Sequence, residues 1–420
     1  MQSILTYVTN KSPLDISTIM TQALEKIKVI DLSRILAGPW ASQMLADLGA
    51  EVIKIEKPGV GDDTRSWGPP FVLSSSERAD AAYFHCTNRN KQSVAVDIRT
   101  SEGQALIKAL LKDADVLIEN YKVGGLAKYG LDYQSVKELN PRLVYCSITG
   151  FGQSGPWAHK AGYDAMIQGE GGLMSITGEP DGLPMKVGVA LVDVMTGLYS
   201  CNGILAALMA RHRTGKGQLL DIALLDVQMA ALANQGMNYL VTGENPPRLG
   251  NGHPNIVPYQ TFKTKDGAMI LAVGNDQQFA KFCRLVQRAD LSDHPKFSTN
   301  QQRVANRDEL LSIISTILKS RESQWWLTEL EKISVPCGAV NTIKQVVTHP
   351  QTKHRNMVQT LTDANGQEIK SIASPINLSD TPVQYQHAAP ALGQHTESVL
   401  QALGYDSEAI TRLKANGIVQ

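Results

Sequence analysis

The sequence predicts an α/β protein: a Rossmann-like large domain with a parallel sheet, joined to a smaller α+β domain. Three observations predict it. Over residues 26 to 150, short apolar runs alternate with helical patterns, as a parallel sheet requires. A Gly-rich stretch then leads into a long apolar helical segment that opens on a lone carboxylate, Asp193. Residues 276 to 333 carry helical patterns with no strands between them, which marks a unit of different construction. At 420 residues the chain is long enough for both domains.

Taken in order, residues 1–25 hold Asp and Glu but neither a continuous apolar stretch nor Arg enrichment, and read as an extension outside the fold rather than a targeting peptide. "KVIDLS" is then a strand, "GPWASQMLADLG" a helix with Pro39 suited to its first turn, and "AEVIKIE" a second strand. "EGQALIKALLKDA" leads as a helix into the strand "DVLIEN", and helical "DYQSVKELN" leads into "RLVYCSITG". From Gly152 to Gly188 glycines and turn residues predict loop, the kind of segment that carries sites. After the helix near Asp193, "RTGKGQ" is a turn and "LLDIALL" a strand, closing a large domain over 26–224. A helix over Val227 to Tyr239, a Gly/Pro-rich loop and a hairpin turning at "TKDG" open the small domain, 225–330. The remainder, 331–420, shows strands again in "GAVNTI" and "KSIASPI" and is expected to return to the large domain.

Composition narrows the function classes. Hydrophobic residues make up 43% and charged residues 19%, as in globular proteins generally, and 40 basic residues balance 40 acidic ones. No field of one sign is available to hold nucleic acid or an anionic membrane, so neither is an expected partner. No run approaches the roughly 18 consecutive apolar residues of a membrane span. The five cysteines lack C-x-x-C spacing and the nine histidines lack H-E-x-x-H, so neither a disulfide framework nor a metal site is expected. A cytoplasmic location fits these features.

The first βα turn, "LSRILAGPW", has one glycine where a dinucleotide fingerprint needs three, which argues against nicotinamide or flavin binding there. "GVGDDTR" and "RTGKG" lack Walker A spacing, and no G-x-S-x-G elbow appears. Acids remain. Asp193 lies near a helix N-terminus, where it either caps the helix or stands as an anion in apolar surroundings. Asp164, in "AGYDAMIQGEGG", is a second acid within the Gly-rich section, and His253, in "GNGHPNIVPY", sits on a loop whose glycines would let it close over a ligand.

The ordered segments "DLSRILAGPWASQMLADLGAEVIKIEKPGVGDDTR", "NRNKQSVAVDI", "ENYKVGGLAKYGLDY", "SITGFGQSGP", "GYDAMIQ", "VDVMTGLYS", "RTGKGQ", "GNGHPNIVPYQTF" and "LGQHT" resemble the class III CoA-transferases, a family that also includes α-methylacyl-CoA racemase. The resemblance implies that Asp193 is the nucleophile, passing through an aspartyl anhydride and an aspartyl-CoA thioester, with Asp164 in an auxiliary role. It implies CoA contacts at Arg34, Ile35, Leu36, Lys57, Val96, Arg99, Asn120, Tyr121 and Lys128, and a lid loop at Gly250, Gly252 and His253. Within the family the chain is most similar to enzymes of dicarboxylates, which implies a donor such as succinyl-CoA and an acceptor such as glutarate. CoA enters as part of the substrates, with no tightly bound cofactor. The resemblance further implies a homodimer of two interlocked chains. Two rivals remain: a 2-methylacyl-CoA racemase, although Tyr163 stands where the racemase carries histidine, and a catalytically silent CoA-binding protein.

Overall fold

The computed structural model describes residues 22–72 and 79–420. Most of the expected N-terminal extension, residues 1–21, lies outside the described residues.

The large unit is built on β1 (Lys28–Asp31), β2 (Glu51–Glu56), β3 (Lys91–Ala95), β4 (Val116–Glu119), β5 (Val144–Thr149) and β6 (Leu219–Ala223). These form one parallel sheet in the order β3-β2-β1-β4-β5-β6. Ile30 pairs with Ile53 on one side and Leu117 on the other. Strands β1, β4 and β5 are buried almost throughout, which explains why they read as unbroken apolar runs. The strand order reverses direction between β1 and β4, so ligands are expected in the crevice beyond the carboxyl ends of these two strands.

Helix α1 (Ala37–Asp47) and the 24-residue helix α6 (Leu191–Thr214) share one face of the sheet. Between them in the chain come α2 (Ala82–His85), α3 (Ser101–Leu111), α4 (Tyr133–Val136) and α5 (Asp164–Glu170). By length and composition α6 is apolar enough to cross a membrane, a property that counting consecutive apolar residues does not detect. In this fold its buried side chains, among them Val192, Cys201, Ile204 and Leu208, pack into the core with Ala41 and Leu45 of α1. Gly197 permits the close approach: a Cβ there would lie 2.9 Å from the Ala37 carbonyl oxygen and from Trp40 Cβ. Both helices run against the strands, so their N-termini emerge together at the carboxyl end of the sheet.

The helix expected over Val227 to Tyr239 is broken in two, α7 (Leu224–Ala230) and α8 (Ala233–Thr242), because Ala233 has φ +47°. Helical "DYQSVKELN" shortens to the single turn of α4. The second core gathers on β7 (Tyr259–Lys263) and β8 (Ala268–Ala272), joined at "TKDG" as expected, with α9 (Asp276–Leu285), α10 (Asp290–Asp293), α11 (Asn300–Ala305), α12 (Arg307–Leu318) and α13 (Ser323–Lys332). Strand β9 (Cys337–Ala339) pairs antiparallel with β8 and completes this sheet, so the small unit runs past the expected boundary at 330. Helices α14 (Ile343–Thr348) and α15 (Pro350–His354) follow, then the hairpin of β10 (Val358–Thr362) and β11 (Glu368–Ile372). The chain ends in α16 (Thr396–Ala402) and α17 (Ser407–Ala415), whose Leu400, Ile410 and Leu413 join the core of the parallel sheet on the face opposite α1.

Candidate active site

At the switch point the turn Ser33–Arg34–Ile35 leaves β1, and side chains from three other segments hold its backbone. Arg34 N–H donates to Asn120 Oδ1 at 2.9 Å, and the Asn120 amide returns a bond to the Arg34 carbonyl at 2.7 Å. Ser33 N–H donates to Asp31, Lys54 Nζ donates to the Ser33 carbonyl at 2.8 Å, and Ile35 N–H reaches Asp62 at 3.2 Å. This is where a dinucleotide enzyme would offer free N–H groups to pyrophosphate. Here those of Ser33, Arg34 and Ile35 are occupied by the protein itself, a physical reason for the missing glycines. Leu36, buried, ends the turn and begins α1.

Beyond this turn lies an open cleft of about 300 Å³. Arg34, Lys57, Val96, Arg99 and Tyr121, all expected at the CoA site, line it together with Tyr129. Lys128 stands just outside, its ammonium 4.8 Å from the Tyr129 ring centroid. The cations are mostly engaged locally: Arg99 chelates Asp97 and Arg34 pairs with Asp63 at 2.8 Å. These pairs are solvent-exposed and therefore weak, so an incoming phosphate can compete for the guanidinium groups. Ile35 and Leu36 do not line this cleft, and the Asn120 amide faces the turn.

The two acids meet at the N-terminus of α6. Ala190, the N-cap residue, has no side chain that could serve. The carboxylate comes from 28 residues upstream: Asp164 Oδ1 accepts from Val192 N–H at 2.8 Å and lies 3.4 Å from Asp193 N. Its other oxygen accepts from Gln168 Nε2 at 2.7 Å, and Gln168, wholly buried, is fixed in turn by Val187 N–H. Asp164 is therefore the cap and Asp193 is not. Asp193 sits within the first turn of α6, where burial first and then the charge of Asp164 push its carboxyl up to about 7. N–H groups at a helix terminus favour a carboxylate, and here that of Val192 serves Asp164. Near neutrality Asp193 is then about half ionised, a stronger base and a stronger nucleophile per anion than an exposed aspartate.

Tyr83, on α2, is a member of this group that the sequence did not reveal. Burial first, then the charges of Asp193, Cys86 and Asp164, push its phenol up to about 12, so it stays neutral. Nothing in "AAYFH" distinguishes it, because its place depends on α2 folding under the turn that follows β2. Glu119, at the end of β4, is a second buried acid, pushed up to about 7 by burial despite hydrogen bonds from Ser147 and from Tyr121 N–H.

The expected lid loop folds onto the segment before α6. Gly250 N–H donates to the Gly178 carbonyl at 3.0 Å, and its φ of +56° suits glycine. Arg248 binds the carbonyls of Glu179, Pro180 and Gly182. Gly252 N–H turns back to Leu249, and a Cβ at Gly252 would crowd that carbonyl at 3.1 Å. His253 stacks on Tyr259 with centroids 5.2 Å apart, and its carbonyl accepts from Arg307. Burial and the charge of Arg307 lower its pKa. Within one chain the structure brings Asp193 and Asp164 together, and His253 is engaged by Tyr259 and Arg307.

The chain thus carries an acid raised toward neutrality at a helix N-terminus and, at the sheet's switch point, an open cleft lined by Arg34, Lys57 and Arg99, and comparison places it among the CoA-transferases. Residues 24–396 match the family described as CoA-transferase family III, and the chain belongs to that family. It is 52% identical to the succinate–glutarate CoA-transferase of Agrobacterium fabrum over 90% of this chain and 95% of that one. Identity to the succinyl-CoA:glutarate CoA-transferase of Homo sapiens is 43%, over 94% and 90% of the two chains. Among solved structures, a CAIB/BAIF family protein from Brucella suis superposes with a TM-score of 0.82 at 50% identity, covering 91% of this chain and 99% of that chain.

Proposed function

We propose that this enzyme transfers CoA from succinyl-CoA, or another dicarboxyl-CoA, to a dicarboxylate such as glutarate, with Asp193 as the nucleophile. The observation that carries the proposal is the raised carboxyl of Asp193 in the first turn of α6, beside Asp164. The names of the similar enzymes from Agrobacterium fabrum and Homo sapiens support the acid pair.

The chemistry is a closed cycle. An Asp193 oxygen attacks the thioester carbon of the donor, the C–S bond breaks, and CoA leaves as thiolate, giving a mixed anhydride. The thiolate attacks the Asp193 carbonyl, releasing the donor acid as its carboxylate and leaving an aspartyl-CoA thioester. The acceptor carboxylate attacks that thioester, expelling the thiolate and forming a second anhydride. Attack of the thiolate on the acceptor's acyl carbon yields the new acyl-CoA and restores the Asp193 carboxylate. No net proton or water is consumed, and the thioester's free energy is conserved. Arg34, Lys57, Arg99 and Lys128 bind the nucleotide phosphates, Asp164 fixes the helix terminus that carries the nucleophile, and the 249–255 loop keeps water from the intermediates.

The enzyme works as a homodimer of interlocked chains. Exposed apolar side chains support this reading: Leu183 is 85% exposed, Val241 77% and Leu240 73%, and a second chain would cover them.

The test is to incubate the protein with succinyl-CoA and a panel of carboxylic acids and to follow each acyl-CoA by mass spectrometry. Glutaryl-CoA formation is the expected result. Exchange confined to monocarboxylates, or α-proton exchange of a branched acyl-CoA without acceptor, would overturn the assignment.

A further inference from the structure

Ile35 is the residue of the switch-point turn that ought not to be there. Its φ of +73° is a left-handed conformation that a β-branched side chain rarely adopts. Left-handed backbone costs an L-residue about 1 to 2 kcal/mol, so an unrestrained Ile35 would leave this conformation in all but roughly one molecule in five to thirty. Something must hold it.

The holder is a buried ion pair that nothing in the transfer cycle uses. Lys54 Nζ and Asp62 Oδ2 lie 2.9 Å apart with both side chains fully buried, at the floor of the cleft. Lys54 also donates to the Ser33 carbonyl, and Asp62 accepts from Ile35 N–H, so the pair grips the turn on both sides of Arg34. Asp62 is fixed from the far side by Thr64, whose N–H and hydroxyl both donate to it, and its own N–H is held by Glu56. Burial favours a neutral Asp62, yet Lys54 and the Thr64 bonds bring its carboxyl down to about 2, so it stays an acceptor throughout the working range. Lys54 stays charged for the same reason, with Asp31 as a second counter-ion. The Asn120 amide completes the grip on Arg34 from the β4 side.

We propose that Lys54 and Asp62 are positioning residues for acyl-CoA: the pair holds the Ser33–Ile35 turn, with Ile35 left-handed, in the backbone path that presents Arg34 to the nucleotide cleft and sets the start of α1 against α6 at Gly197. This rests on the cleft being the CoA site. It assigns a function to the strain at Ile35, and it predicts that the need for the pair depends on which residue occupies position 35.

Glycine adopts the left-handed conformation without the steric cost, which gives a direct test. CoA binding is measured by calorimetry on the full-length protein as wild type, Asp62→Ala, Ile35→Gly and the double variant, with KM for succinyl-CoA and for the acceptor acid in parallel. In the wild-type background Asp62→Ala should weaken CoA binding fivefold to thirtyfold and raise KM for succinyl-CoA but not for the acid. In the Ile35→Gly background the same substitution should cost threefold or less. Equal losses in the two backgrounds, or no loss in either, overturn the proposal while leaving the CoA site intact. Failure of the wild type to bind CoA overturns both. If Asp62→Ala does not fold, Lys54→Met removes the other half of the pair and carries the same cycle.

Discussion

Replacing Asp164 by Asn should move the pH dependence of the enzyme in a direction the geometry fixes. Asn keeps an oxygen where Val192 N–H donates and deletes the charge. Asp193 stands about three pH units above the ordinary aspartate value of 3.8, burial being the larger cause and Asp164 the second. Asp164 therefore accounts for less than half of the rise, at most about 1.5 pH units or roughly 2 kcal/mol. Tyr83, the other titrating group at the pair, stays neutral in the working range and does not compete. The assay is kcat/KM for succinyl-CoA at saturating acceptor between pH 5 and 9, whose acid limb reports the free enzyme's essential base, Asp193 on the proposed mechanism. The wild-type limb should be centred near 7 and that of Asp164→Asn about one unit lower. At pH 6 the wild type would then show about a tenth of its plateau and the variant about half of its own. An acid limb that stays in place, or moves upward, refutes the electrostatic coupling of the two carboxylates.

The same raised carboxyl has a signature in stability. Between pH 3.8 and about 7 the folded protein holds the Asp193 proton more tightly than the unfolded chain does, so stability falls as pH rises through that window and the loss is complete above it. Asp193→Asn lacks this loss and should gain on the wild type between pH 4.5 and pH 8, by at most about 4 kcal/mol and less as solvent reaches the site, measured by urea denaturation. Two glycines of α6 should respond differently to Ala. Gly197→Ala pushes a Cβ against the Ala37 carbonyl and Trp40, and should lose about 1 to 2 kcal/mol and some activity, because the N-terminal turn of α6 carries Asp193. Gly203→Ala meets only the flexible end of Leu220, and helix propensity should bring it within about 1 kcal/mol of neutral by thermal denaturation.

Most of the sheet was legible because buried strands such as β4 and β5 are apolar runs and the intervening helices have their own periodicity, whereas β3, with Lys91, Gln92 and Ser93 in it, carries no such run and does not read as a strand. Where the reading failed, a distant contact decided. The apolar pattern over 227–239 is the same whether one helix or two, and only the backbone at Ala233 breaks it. "GAVNTI" looked like a strand bound for the large domain, but its partner is β8. At the site, Asp193 and Asp164 stood out as acids in apolar or Gly-rich surroundings, yet which of them caps α6 could not be read locally, since the cap crosses 28 residues. The basic residues at the ends of β1, β2 and β3 converge because parallel strands deliver their carboxyl ends to one edge, whereas the grip of Lys54, Asp62 and Asn120 on the Ser33–Ile35 turn joins segments up to 86 residues apart. Tyr83 and Gln168 carry no sequence signal because their roles exist only once Asp164 and Asp193 are together.

The most direct test of the whole account is to mix the enzyme with succinyl-CoA alone, quench in acid and map the protein by mass spectrometry. Covalent catalysis by Asp193 gives a CoA adduct, with loss of one water, on the peptide that contains Asp193, and none on Asp193→Asn. An adduct on another residue, or CoA transfer that persists in Asp193→Asn, would contradict it.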